Sequence, residues 1–342
     1  MTTGVIAVNV TRGPLVESIH YGHAAVVDTS GRLLFAAGSP ATVIFARSAA
    51  KPLQALPVVE AGVAERFGLH PEHVAMLCAS HSGEPLHVKL VSEMLSLIHA
   101  SAEQLTCGAH EPYDADAAAN LRAAGDKPTP VHNNCSGKHT GMLALAAAKG
   151  WDREGYAKPE HPVQQAMLEA VSAMCGLRPA EVPLGTDGCG VPVFAVPLSR
   201  LAAAYARLGA PEAAGLPPAR IAACRQITAA WTAHPECVAG SNRFDTRLAE
   251  VTGGRLLGKM GAEGVFAVTY PSQGLGAAVK MEDGAMRALY PAVAELLGQL
   301  QWLSPAELEA LEPFRRPPVT NWRGDIVGSI EPAVRLEAFS PM

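Results

Sequence analysis

An extended, β-branched run, Thr42-Val43-Ile44-Phe45, gives way to a helical pattern at Arg47-Ser48-Ala49-Ala50-Lys51-Pro52. Pro52 falls in the first helical turn, where its missing N–H costs nothing, so the segment reads as a strand delivering its end to a helix start. Residues three apart on a helix share a face, which lets the Ser48 hydroxyl and the Lys51 amine meet. A serine hydroxyl is a poor nucleophile until a base takes its proton, and a lysine desolvated beside another cation can be that base. Arg47 supplies such a cation; it either lowers the lysine pKa or holds a substrate carboxylate. Serine and lysine are common residues, so the pair needs support from the rest of the chain.

With 342 residues, 49% of them hydrophobic, the chain can bury one large core or two domains. Aromatics make up only 5% and alanine is abundant, which favours helix-rich packing over an all-β sandwich. A net charge of -5 with no basic run argues against a nucleic-acid partner. Alanine-rich stretches are interrupted by charge or proline before they could span a bilayer, so no membrane is expected. Seven cysteines, an odd number scattered along the chain, suit free thiols or metal ligands better than a disulfide framework. The start, Met1-Thr2-Thr3-Gly4-Val5-Ile6, has neither a basic segment nor a long apolar run, and the expectation is a cytoplasmic protein.

Taken in order, residues 4–10 read as a strand, and 24–28 with 33–37 as a hairpin across Thr29-Ser30-Gly31-Arg32. The helix from Ser48 continues to Glu60 with a bend expected at Pro57. Met76-Leu77-Cys78-Ala79 reads as a buried strand ending at Ser80-His81-Ser82-Gly83. Ser80 is then either a site residue or part of a polar cap for a helix beginning near Pro85. In His132-Asn133-Asn134-Cys135-Ser136-Gly137-Lys138-His139-Thr140-Gly141, polar and ionisable residues crowd in front of an apolar helix expected from Met142 to Ala148. A helix start with exposed N–H groups suits an anion or an oxyanion. Residues 160–175 and 221–233 have helical patterns, and between them Gly185-Thr186-Asp187-Gly188-Cys189-Gly190 is a glycine-rich turn holding an acid and a thiol. It reads as a site loop or as a tight surface turn. Lys259-Met260-Gly261 precedes strands at 265–270 and 274–281, then a helix from Glu282 to Leu300. An edge strand is expected at 325–330. No repeat, low-complexity tract or clear linker stands out.

The Ser-x-x-Lys pair, a Lys-x-Gly strand, a following strand and a C-terminal helix occur in this order in penicillin-recognising enzymes, although Met260 stands where those carry Thr. Cys135-Ser136-Gly137-Lys138-His139, His234-Pro235-Glu236 and Lys259-Met260-Gly261-Ala262-Glu263-Gly264 resemble a narrower family, the Rhizobium etli-type L-asparaginases, over residues 4–335. The resemblance implies an α+β, serine β-lactamase/penicillin-binding-protein-like fold, with an antiparallel sheet flanked by helices. One catalytic unit would then comprise a sheet part at about 1–47 and 255–342 with a helical part between. It also implies hydrolysis of L-asparagine to L-aspartate and ammonia, by a homodimer. Two Ser-Lys tandems would meet in one pocket: Ser48 as nucleophile with Lys51 as its base, and Ser80 with Lys259 as a proton relay. A zinc ion would sit on Cys135, Lys138 and Cys189, although chemistry alone would put His139 before a lysine.

An amide hydrolase also needs an oxyanion hole and a grip on the amino acid's charges. The Ser48 N–H suits the first, and charge assigns Arg47 to the α-carboxylate and Asp187 to the α-ammonium, with His139 also on the substrate. Lys51 acts as a base near neutrality only if its pKa falls from ~10.4 toward roughly 7–8. Two thiolates and an amine leave one zinc position open, and the ion is expected to organise substrate rather than generate the nucleophile. Glutamine differs from asparagine by one methylene, worth only ~1–3 kcal/mol, so a glutaminase remains an alternative. A β-lactamase-like hydrolase is a further one, as is a non-catalytic metal-binding or redox protein built on Cys135 and Cys189, which leaves both serine–lysine pairs unexplained.

Overall fold

The computed structural model describes residues 4–339, so Met1–Thr3, at the start of the N-terminal segment, lie outside it. The chain forms two compact units. One comprises the chain up to Ala49, Val196–Ala214 and the chain from Arg247 onward; the other comprises Ala50–Ala195 and Gly215–Thr246.

The first unit is organised around an antiparallel sheet. Its strands run Pro318–Thr320, Ile326–Pro332, Val5–Arg12, Leu15–Asp28, Leu275–Met281, Val265–Tyr270 and Leu257–Gly261, with Leu33–Ala37 and Glu337–Ala338 joined off this path. The hairpin across 29–32 forms as its turn residues imply, with Ala24 opposite Ala37 and Val26 opposite Phe35. His23 to Val27 are buried without interruption, which a strand shows when both faces of its sheet are covered. The helices Leu198–Gly209 and Met286–Gln299 both pack on the sheet. Ala202, Ala203, Ala204 and Ala206 are buried in the first of these, and such small side chains let a helix lie close to strands. This is the α+β arrangement, an antiparallel sheet flanked by helices, that the sequence predicts.

The second unit is helical and centres on Lys51–Glu60, in which Lys51 to Val59 are all buried. A helix enclosed on every side is the middle of a bundle, and here it packs against Pro71–Leu77, Ser136–Lys149, Pro162–Cys175 and Pro218–Ala233. It runs through Pro57 to Glu60.

Four sequence expectations change. Met76 and Leu77 end the helix Pro71–Leu77 rather than form a strand; a short apolar run cannot be assigned by periodicity, and Pro71 at the helix start decides it. The helix expected from Met142 begins at Ser136, so the polar cluster occupies its first turns. The last long helix starts at Met286, not Glu282. Ile326–Pro332 is no edge strand, because it pairs with Val5–Arg12 on one side and Pro318–Thr320 on the other.

Candidate active site

In the helical unit the site is built around Lys51, 1% exposed at the start of the central helix. Its Nζ contacts Ala79 O at 2.5 Å, Ser80 Oγ at 2.8 Å and Asn134 O at 3.2 Å. Burial pulls the Lys51 pKa below its ordinary value, with Lys138 adding to the effect against the opposing pull of Cys135 and Cys189.

Each partner is held by its own local structure. After the helix Pro71–Leu77, the Cys78 and Ala79 amides bond back to Ala75 and Met76, and Ser80 N–H donates to Val238 O at 2.8 Å. This turn aims both the Ala79 carbonyl and the Ser80 hydroxyl at the amine. On the other side, Asn134 N–H donates to His110 Nε2 at 2.9 Å. Asn133 accepts from Cys135 N–H at 2.8 Å and donates to Cys107 O at 2.9 Å. Ser136 N–H also bonds to Asn133 O. Two amides at the head of this helix are therefore already engaged, which narrows the anion site expected there. Asn134 carries no catalytic signature, and its role is through its carbonyl; sequence reasoning had no signal for it.

Helix Ser136–Lys149 approaches Pro71–Leu77 through Gly137, where a Cβ would stand 2.3 Å from Met76 O. Only glycine allows that approach. The turn places Cys135 and Lys138 beside Cys189, which the short strands Leu184–Thr186 and Pro192–Pro197 present in the loop between them. Lys138 Nζ donates to Cys189 Sγ at 3.2 Å. A hydrogen bond between the thiols holds Cys135 well below the ordinary thiol pKa and pushes Cys189 up. Burial pulls Lys138 down, but Cys189, Cys135 and Asp187 outweigh it and hold the ammonium above its usual range. Asp187 accepts from Gly188 N–H at 2.9 Å and lies 3.8 Å from Cys189 Sγ.

His139, on the same helix, is fully enclosed, with Nδ1 2.7 Å from the Tyr156 hydroxyl. Tyr156 accepts from Thr106 N–H at 3.0 Å. With its own proton given to Nδ1, the network assigns the ring proton to Nε2, which has no partner among the described residues. His81 is held differently: Gly83 N–H donates to Nδ1, Nε2–H donates to Ser136 Oγ, and Ser136 passes its proton to Val131 O. Burial keeps both histidines neutral, with pKa values well below the ordinary range.

Arg47, Ser48 and Lys259 belong to the sheet unit. Ser48 is buried in the 3-10 turn Arg47–Ala50, and Arg47 has φ 48°, a left-handed conformation that a side chain bearing Cβ rarely adopts. The turn is clamped by Tyr205, whose hydroxyl donates to Ala49 O at 2.7 Å. Gly261 ends the strand bearing Lys259 against this turn, where a Cβ would lie 2.8 Å from Ala46 O. Lys259 is fully buried and its Nζ donates to Met260 O at 2.9 Å. Arg47 also lines a cavity of about 550 Å³ with Phe45, His23, Glu263, Lys280 and Glu282. Of these, His23 and Lys280 were not named from the sequence, and Glu263 and Glu282 were named only within a motif and as a helix start, because nothing local links the three segments that carry them.

All seven cysteines are free and buried. No helix among the described residues is long and apolar enough to cross a membrane. Cys135, Lys138 and Cys189 present two sulfurs and a nitrogen, a donor set that zinc takes once the thiols and the amine are deprotonated, and Lys138 Nζ lies 3.2 Å from Cys189 Sγ.

No curated protein matches the chain in sequence. Among solved structures, it is similar to a β-lactamase from Mycobacterium bovis, at 17% identity over 82% of this chain and 95% of that one, with a TM-score of 0.44. It is also similar to a putative β-lactamase from Bacteroides dorei, at 15% identity over 81% and 93%, TM-score 0.42. A D-alanine carboxypeptidase AmpC from Burkholderia cenocepacia is similar at 12% identity over 81% and 93%, TM-score 0.41. Likenesses this distant assign no activity. The sequence model of the L-asparaginase II family matches residues 8–332, and the chain belongs to that family.

Proposed function

We propose that the chain hydrolyses L-asparagine to L-aspartate and ammonia by way of a serine ester, as a cytoplasmic homodimer in which each chain is one catalytic unit. The observation that carries this reading is the buried Lys51 amine on Ser80 Oγ, with its pKa lowered by desolvation. Such an amine can take a proton from a serine near neutral pH, which an ordinary surface lysine cannot.

Ser48, in the turn that leads into Lys51, attacks the side-chain amide carbon while Lys51 takes the hydroxyl proton. Ser80 and Lys259 deliver a proton to the leaving nitrogen, so the C–N bond breaks and ammonia departs. The same groups then take a proton from water, whose oxygen attacks the ester carbon, and Lys51 returns its proton to the departing Ser48 oxygen. Ser48 N–H serves the developing oxyanion, an interaction of this kind being worth about 3–4 kcal/mol. Arg47 holds the α-carboxylate, Asp187 the α-ammonium, and the unpartnered Nε2–H of His139 supplies a donor to the substrate. Cys135, Lys138 and Cys189 would hold zinc, which when bound supplies a fixed positive charge for orienting substrate.

A second reading exchanges the serines: the 2.8 Å contact favours Ser80 as the hydroxyl that Lys51 activates. Ammonia release from L-asparagine and L-glutamine by wild type, Ser48→Ala and Ser80→Ala decides between them. Loss of activity in both variants, with an acyl-enzyme detected by mass spectrometry in Ser80→Ala alone, supports Ser48. The reverse pattern supports Ser80. Wild type inactive on both amides would remove the assignment, and turnover of a chromogenic cephalosporin would replace it with a β-lactamase-like activity.

A further inference from the structure

A second group of metal-ligating side chains lies in the helical unit, on residues with no part in the proposed hydrolysis. His234, Glu236 and Cys237 each bring a ligand atom within 4.8 Å of the others. Glu236 Oε1 is 3.6 Å from His234 Nδ1 and 3.7 Å from Cys237 Sγ. Ligands around a tetrahedral zinc-like ion are separated by roughly 3.4 Å for nitrogen and oxygen and roughly 3.6 Å for sulfur and oxygen, given its bond lengths. Two of the three edges are thus already near those of such a site, and the third, from His234 to Cys237, is within 4.8 Å.

The histidine ring stands between two carboxylates: its Nε2 faces Glu72 Oε2 at 3.9 Å and its Nδ1 faces Glu236 Oε1 at 3.6 Å. Metal-ligating histidines are commonly braced by a carboxylate in this way. Cys237 is 1% exposed, whereas the His234 and Glu236 side chains are 32% and 37% exposed. The thiol therefore forms the floor and the other two the rim, open to an ion from solvent. One thiolate and one carboxylate balance a divalent charge, and the imidazole suits a zinc-class ion better than calcium or magnesium.

We propose that His234, Glu236 and Cys237 form a binding site for a zinc-class divalent cation, with Glu72 as the positioning carboxylate and a fourth position left to water. The site would pin the helix Pro235–Val238 to the helix Pro71–Leu77, on which Glu72 lies. The same backbone supports the Ser80 turn. Val238 O accepts from Ser80 N–H at 2.8 Å, and Glu236 O accepts from His87 Nε2–H at 2.9 Å.

The test is zinc stoichiometry of the full chain, read by equilibrium competition between protein and a chromophoric chelator. Wild type is compared with His234→Gln, Cys237→Ser, Glu72→Gln and Cys135→Ser. The expected result is that His234→Gln and Cys237→Ser each bind one equivalent less than wild type, and that Glu72→Gln weakens that equivalent by about 10- to 100-fold. Cys135→Ser should leave this equivalent in place, whichever way it affects the site on Cys135, Lys138 and Cys189. Equal stoichiometry and affinity in wild type and His234→Gln overturns the proposal. His234 is partly exposed, so its variant remains informative if the buried Cys237 variant fails to fold.

Discussion

Lys51 Nζ lies 2.8 Å from Ser80 Oγ, and it also contacts the carbonyls of Ala79 and Asn134 and the Cys135 thiol. A carbonyl only accepts, so two N–H bonds are committed to the backbone whatever the protonation state. The third position, an N–H when the amine is protonated and a lone pair when it is neutral, is shared between Ser80 Oγ and the Cys135 thiol. The lysine can therefore gain or lose a proton without moving.

Activity should follow this proton. Burial lowers the Lys51 pKa, so the rate should rise with pH through a limb placed below the ordinary lysine value of 10.5. Lys51→Arg keeps a charge but cannot act as a base, and kcat should fall by about 10²–10⁴-fold. A kcat profile without a limb below pH 10.5, together with an active Lys51→Arg, would remove Lys51 from the base role.

Gly137→Ala tests the close approach of two helices. The added methyl would meet Met76 O at 2.3 Å, a backbone atom that cannot rotate aside, so the cost should reach about 1–3 kcal/mol or more. The urea midpoint should fall, and activity with it, because Lys138 and Cys135 ride on the same turn. A variant with an unchanged midpoint would mean that the helices separate freely.

Stability should decline in mild acid. His81 and His139 are buried neutral with pKa values well below 6.5. Between that value and their folded values, the unfolded chain binds protons that the folded chain does not. Stability therefore falls as pH drops below 6.5, with each group approaching about 1.4 kcal/mol per pH unit. Denaturant midpoints at pH 7, 6 and 5 should show this fall. Identical midpoints would show that both rings take up protons in the fold as readily as in the unfolded chain.

Removing metal with a chelator should raise KM for L-asparagine more than it lowers kcat, since the proposed ion orients substrate while the serines and lysines carry the reaction. Full kinetics before and after dialysis, then after zinc is restored, check this. Complete and zinc-reversible loss of kcat at saturating substrate would give the ion a direct part in turnover.

Local chemistry alone makes several features legible in the sequence. The β-branched runs become strands because their side chains suit a pleated surface, and the turn at 29–32 closes its hairpin. The Ser-x-x-Lys pair, the Cys135–Lys138 cluster and the loop at Cys189 stand out because unusual side chains are concentrated within a few residues. Other features follow only from tertiary structure. The contact between Lys51 and Ser80 spans 29 positions, and that between Lys51 and Asn134 spans 83. Two of the Lys51 partners are backbone carbonyls, which every residue type carries and no motif can announce. Whether Met76 and Leu77 form strand or helix was equally open to a short apolar run, and Pro71 with its packed neighbours settles it. The carboxylate that faces His234 Nε2 belongs likewise to Glu72, which the fold brings close from more than 150 residues away.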